Sequence, residues 1–199
     1  MNSERFTARP ATQEESTEIS WLAALTFPLA CPASTDRMAA VEHVATHLTP
    51  GHFARFANDP EFALLVVESA DGELTVPGTR LLGYSLVHYG SFIHDDEARA
   101  LADATHVEGP YVEVSKIYAH PHAVGTGAAA VLMDATINAA HQLSLTQGDE
   151  EPRPVWIGTN IENVRAQSFY RRHGFTVIGR RVFDVGGEAH KDIMMLLRR

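Results

Sequence analysis

Two stretches of the chain hold the residue types best suited to chemistry. The first, Tyr111 to Ala130, sets Gly125-Thr126-Gly127 between an apolar run and the small residues Ala128, Ala129 and Ala130. A strand that feeds a glycine turn and then a helix start aims backbone N–H groups at phosphate. Gly125 and Gly127 let the chain approach a ligand closely and adopt positive φ. The second stretch holds Asn163 and Tyr170, seven residues apart. Seven residues are almost two helical turns, so the amide and the phenol share a face, with Gln167 between them.

These residues need a scaffold, and the sequence outlines one. Arg5 to Arg9 reads as a short strand. Thr12 and Glu15 have the spacing of a capping box, opening a helix with Ile19, Trp21, Leu22 and Leu25 that Pro28 stops. Asp36 caps a second helix carrying Met38, Val41, Val44, Ala45 and Leu48, ended by Pro50-Gly51; a short third helix holds Phe53 and Phe56. Strands follow at Glu61–Glu68 and Arg80–His88, with a turn at Asp71-Gly72. Asp95 to Ala104 is a helical or irregular insertion. Tyr111–Tyr118 is the central strand and Gly127–Leu143 the long helix after it. Val155–Thr159 is a strand, and Asn163–His173 a helix closed by Gly174. Phe175–Phe183 and Lys191–Leu197 are two final strands around a Gly186-Gly187 turn. The order predicts an α/β sandwich around one mixed sheet. With no linker or repeat, residues 1–199 read as a single domain.

The glycine run fits more than one reading. As G-x-G-x-x-A it matches a dinucleotide-binding fingerprint. That fingerprint requires its first glycine directly after the strand, whereas His120-Pro121-His122-Ala123-Val124 intervene here. Too little chain follows for the two halves of a dinucleotide fold. A plain tight turn that starts a helix is the other alternative. The run also resembles the GNAT superfamily of acyl-CoA N-acetyltransferases, whose members carry Gln/Arg-x-x-Gly-x-Gly/Ala after a central strand and a His-Pro-like turn. Here Val124-Gly125-Thr126-Gly127-Ala128-Ala129 follows His120-Pro121; Gly127 and Ala129 match, and Val124 replaces the usual Gln or Arg. Asn163 through Phe169-Tyr170 to Gly174-Phe175 looks like the family's second motif. The resemblance spans Leu82 to Leu197.

That resemblance implies a single mixed, mostly antiparallel sheet with helices on both faces, and acetyl-CoA as co-substrate. By it, the amides of Val124 to Ala129 hold pyrophosphate, as amides at a helix N-terminus do whatever their side chains. Asn163 meets the pantetheine arm, and a backbone amide among Ile117, Tyr118 and Ala119 polarises the thioester oxygen. Tyr170 protonates the departing thiolate; a half-buried core tyrosine and a simple helix cap are the plain alternatives for Tyr170 and Asn163. The reaction implied is direct acetyl transfer to a primary amine: a polyamine, an amino-acid derivative, or a peptide or protein amine. A non-catalytic acyl-CoA-binding or regulatory protein on the same fold is the opposing reading.

An amine must lose a proton before it attacks, so a base is required. A glutamate some family members use, twelve residues before the tyrosine, is Gly158 here. Strand alternation sets Glu113 and Ser115 on one face, opposite Val112 and Val114. A carboxylate on a covered strand is costly unless bonded or used, so Glu113 is the candidate base, with a buried ion pair as the alternative. Asp192 and His190 stand in reserve.

The remaining composition bounds partners and setting. Net charge is −9, with 25 acidic and 16 basic residues, which argues against nucleic acid and favours cationic amines. Cys31 is the only cysteine, expected as a buried small hydrophobe. His43 and His47 sit one helical turn apart without the further ligands a metal needs, so no metal is expected. No run is long enough to span a bilayer, and Met1 to Arg5 lack a signal core, so a cytoplasmic protein is expected, with a homodimer as one assembly.

Overall fold

The computed structural model describes residues 5–90 and 95–198. Residues 1–4, part of the stretch read above for a signal core, lie outside them. Strand β1 (Phe6–Pro10) is followed by a 3-10 turn in which Glu15 Oε2 accepts from the Thr12 amide at 2.9 Å. The turn runs into α1 (Ser16–Ala30). The sequence predicts that Pro28 stops α1, but the helix continues to Ala30; Pro28 lies in its last turn, where a missing N–H removes only one bond. Asp36 caps α2 (Arg37–His47), accepting from the Met38 amide at 3.0 Å. Met38 and Val41, expected on its inner face, are 68% and 54% exposed, and Ala39 and Ala40 point inward instead. Pro50 opens a helix rather than ending one. It is the first residue of α3 (Pro50–Asn58), where the absent N–H has no partner to lose, and Thr49 is the cap. Phe53 and Phe56 are both buried, as expected.

Six further strands complete the sheet: β2 (Phe62–Ser69), β3 (Leu81–Tyr89), β4 (Val112–Ala119), β5 (Val155–Asn160), β6 (Phe175–Val185) and β7 (Glu188–Leu197). Three helices are interleaved: α4 (Asp95–Thr105), α5 (Ala128–Thr146) and α6 (Val164–Arg172). The strand order is β1-β2-β3-β4-β5-β7-β6, and only β4 and β5 run parallel. This is the mixed, mostly antiparallel sheet that the sequence predicts. On one face, Ile19, Leu22 and Phe53 of α1 and α3 pack on Leu64, Val66, Tyr84 and Leu86. On the other, Ala128 and Leu132 of α5 pack on Phe6, Leu65, Val67 and Leu82. Leu101 of α4 covers Trp156, Met194 and Leu196.

The β4–β5 ladder is short. It holds only Val112↔Val155 and Glu113↔Trp156, whereas β3–β4 pairing continues to Gly83↔Ala119 and β5–β7 pairing to Asn160↔Asp192. Beyond Glu113 the two central strands part. The β3–β4 register also shifts between Leu86↔Lys116 and Val87↔Val114, leaving Ser115 without a partner. This bulge interrupts the alternation, so that Lys116 and Tyr118 turn toward the face covered by α1 to α3, with the Lys116 ammonium bonded to Ser115 Oγ. Among the described residues no helix is long and apolar enough to cross a membrane.

Phe53 is fully buried, edge-on to both Phe56 and Tyr84 with centroids 6.1 and 5.5 Å away. Phe53→Ala should therefore lower unfolding stability by about 3–5 kcal/mol, read as a shift in the urea midpoint.

Candidate active site

The gap between β4 and β5 has a lining that follows from the ladder. The His120 amide donates to Leu82 O at 2.8 Å, so it faces β3. Alternation then turns the backbone groups of Tyr118 and Lys116 to β3 and those of Ile117 and Ala119 into the gap. Of the three residues expected to meet a thioester through the backbone, Ile117 and Ala119 turn their backbone groups into the gap. Tyr118 is bonded across to Tyr84, and its side chain joins the core under α1 to α3.

At the open end of the gap stands the glycine turn. His120 Nδ1 accepts from the His122 amide at 3.1 Å, shaping a 3-10 turn over Pro121–Ala123. Gly125 has φ of 81° and Gly127, the residue that caps α5, has 102°, conformations side chains rarely adopt. Within the turn the amides alternate in use. Val124, Thr126 and Ala128 donate to Pro121 O, Ala123 O and Thr126 Oγ1 at 3.3 Å each. Among the described residues nothing accepts from the amides of Gly125, Gly127 or Ala129, and the space beside Gly125 is open. Three free N–H groups at the start of a long helix suit an anion such as pyrophosphate.

Helix α6 is tied to the end of β5 by Gln167, whose Nε2 donates to Ile161 O at 2.8 Å and to Asn160 O at 3.3 Å. Asn163 caps it, accepting from the Ala166 amide at 3.0 Å. Two turns on, Tyr170 packs its ring among Val112, Val114, Ile157, Phe175 and Ile193, on the α5 side of the sheet. Burial raises the Tyr170 phenol above its usual range, and the charge of Asp192 adds to the rise. Tyr118 is raised likewise, by burial first and then by Tyr170, Cys31 and Asp192. The gap thus lets a phenol anchored on one face act on groups anchored on the other. Four elements meet there.

Cys31 was not legible as part of this site. Its only local signals are two prolines, yet the last turn of α1 carries it to Tyr118, half-buried, with Sγ 3.5 Å from Phe27 O. Burial raises its thiol pKa, so it is not an activated thiolate.

The carboxylates gather around one arginine that the sequence did not single out. Arg181 on β6 lies 3.1 Å from Glu113, 3.6 Å from Glu97 and 3.6 Å from Asp192. Its guanidinium stands over Trp156, 5.1 Å from the ring centroid, and 5.4 Å from that of Phe183. Any side chain at Gly158 would overlap that guanidinium, which is why β5 has glycine where an acidic residue was sought. Burial raises the pKa of Glu113, against the pull of Arg181 and Lys116. Burial also raises that of Asp192, against Arg181. The two differ in what they reach. Glu113 sits at the closed end of the gap, bonded to Arg181, while Asp192 lies opposite Asn160 and acts on Tyr170 and Tyr118. The structure brings Asp192, not Glu113, to Tyr170. His190 lies 3.5 Å from Glu188.

His43 stacks on Phe27 with centroids 4.5 Å apart, and burial lowers its pKa to about 4, so it is a neutral wall residue. Among the described residues no group of three or more His, Cys, Asp or Glu is placed to hold a metal ion.

Residues 42–175 match the model of the acetyltransferase (GNAT) family. Uncharacterized N-acetyltransferases of Mycobacterium bovis and Mycobacterium tuberculosis are each 35% identical to the chain over 183 residues, covering 90% of it and 94% of their own length. In shape it is similar to the PaiA N-acetyltransferase of Thermoplasma acidophilum solved with coenzyme A. That match has a TM-score of 0.66 and 11% identity, over 98% of this chain and 99% of the other. It is also similar to Arabidopsis thaliana NAA60 solved with a bisubstrate analogue, with a TM-score of 0.64 and 13% identity over 96% of each chain.

Removing Arg181 would take away the cation shared by the buried carboxylates of Glu113 and Asp192. Arg181→Met should destabilise the protein by about 3–5 kcal/mol at neutral pH. Carboxyl groups whose folded pKa is raised bind protons more readily folded than unfolded, so lowering the pH relieves the loss. Urea unfolding at pH 8 and pH 5 should show the larger deficit at pH 8.

Proposed function

The chain belongs to the GNAT acetyltransferase family and is an acyltransferase, and on that premise we propose that it moves an acetyl group from acetyl-CoA to a primary amine by direct transfer. The observation that carries this reading is the parting of β4 and β5 after Glu113, with free amides along one side and at one end. An extended arm of strand-like width fits where a strand is missing, and the pyrophosphate end of such a molecule fits the amides of Gly125, Gly127 and Ala129. Val124, Thr126 and Ala128 shape that turn, and Asn163 stands at the start of the helix beside the arm. We take the chain as one catalytic domain, acting in the cytoplasm, alone or as a homodimer.

The chain's own groups divide the proton work. Ile117 and Ala119 present N–H donors where charge develops on the thioester oxygen. Tyr170, its pKa raised by burial, keeps its proton through the neutral range and hands it to the leaving sulfur. Asp192 is the carboxylate in reach of Tyr170, and it takes the proton from the incoming ammonium. Glu113, expected as the base, instead holds Arg181 in place. The acidic lining around Arg181 attracts an ammonium and agrees with the chain's net charge of −9.

Two tests follow from these roles. Tyr170→Phe should lower kcat by roughly 10²–10⁴ while calorimetry shows near-normal CoA affinity; an unaltered kcat would return Tyr170 to the core. The base must be ionised to work, so kcat/KM should rise with pH along a limb lying above the ordinary aspartate range, because burial raises Asp192. Asp192→Asn should erase that limb and Glu113→Gln should retain it; the opposite pattern would return the role to Glu113.

A further inference from the structure

The charged groups on the side of the sheet covered by α1 to α3 fall into two clusters. In one, Glu97, Glu113 and Asp192 surround the guanidinium of Arg181. The other gathers around the Phe56 ring on α3. Lys116 Nζ lies 6.0 Å from its centroid, Arg55 Cζ 5.1 Å and the His52 ring 6.3 Å. Phe62 packs 4.8 Å from Phe56 and stacks with His88 at 4.1 Å. Among the described residues no carboxylate pairs with Lys116. Its ammonium donates to Ser115 Oγ at 3.2 Å, and an ammonium has three donors.

The position of Lys116 relates it to the reacting groups. It shares a face of β4 with Tyr118, two residues and so about 7 Å along the strand. The bulge at Ser115 is what turns it toward Phe56 on α3. Its charge is felt by Glu113 and Arg181 on the sheet and by His43, His52 and His88 on α2, α3 and β3. Burial lowers all three imidazoles, leaving them largely neutral at pH 7, and it also lowers Lys116, with Glu113 opposing. A cation held this way gains most from a ligand that supplies the missing counter-charge.

We infer that Lys116 is the binding point for a carboxylate carried by the acceptor, so that the acceptor is a small zwitterion whose amine meets Asp192 and Tyr170. This rests on the acetyltransferase reading and narrows its acceptor from cationic amines to amino acids and their relatives. Amine and carboxylate should be separated by several carbon atoms, given the spacing along β4.

Matched acceptors test it. Initial rates of acetylation should be compared for lysine against cadaverine and for γ-aminobutyrate against n-propylamine, each pair differing by the carboxylate alone. The carboxylated member should have the higher kcat/KM by about 10–100-fold, the range of one charge-assisted bond. Lys116→Met should collapse that ratio toward one, and Lys116→Arg should retain most of it. In a second arm that needs no variant, butyrate should inhibit acetylation of n-propylamine by the wild-type protein, competitively against the amine. Equal rates within each pair, an equal loss for both members in Lys116→Met, or no inhibition by butyrate would each overturn the inference. Failure to acetylate any amine by a protein that binds acetyl-CoA would instead overturn the reading on which it rests.

Discussion

Two residue pairs join β4 to β5, and the consequences of that short ladder run through the whole site. A parallel pair with a long ladder would close the sheet and separate its faces completely. Here the strands part after Glu113, so Ile117 and Ala119 present unbonded backbone groups along an edge inside the sheet. Such an edge is costly if buried without partners, a cost that the extended ligand proposed above would relieve. The same parting lets Tyr170, held by the core on the α5 side, act on Tyr118 and Asp192 from the other side. Neighbouring strands keep the gap from collapsing: β3 grips β4 to Ala119 and β7 grips β5 to Asn160.

The second constraint is the management of buried charge. Glu97, Glu113 and Asp192 lie within 3.6 Å of Arg181, which is packed between Trp156 and Phe183. The pair with Glu113 is the tightest, and the contact with Asp192 the looser one at Arg181 Nε, a buried donor without a hydrogen bond. The two carboxylates are thereby held differently: Glu113 accepts a hydrogen bond from the arginine, and Asp192 lies 3.6 Å from it on β7, opposite Asn160. Gly158 belongs to this arrangement, because the arginine crosses β5 through the space a side chain would fill.

Much of the architecture was legible in the sequence because it depends on local rules. Apolar periodicity marked the elements. Glycines at 125 and 127 marked the backbone turn that only they adopt cheaply, and the Asn163-to-Tyr170 spacing marked one helical face. Where local reading erred, the cause was tertiary or positional. Pro28 sits late enough in α1 to be harmless, and Pro50 begins a helix because Thr49 supplies its cap. Ala39 and Ala40 replace Met38 and Val41 on the inner face of α2 because close packing there favours small residues.

The site itself was only half written in the sequence. The turn at Gly125 to Ala129 and the cap at Asn163 could be read from spacing, since their geometry is set within a few residues. The surroundings of Arg181, Asp192, Lys116 and Cys31 depend on which distant elements meet. Simple strand alternation could not bring Lys116 and Tyr118 to the face covered by α1 to α3; the bulge in pairing with β3 does. Burial, which shifts the proton affinity of Asp192, Lys116 and Cys31, is a property of the packed fold, and no local pattern encodes it.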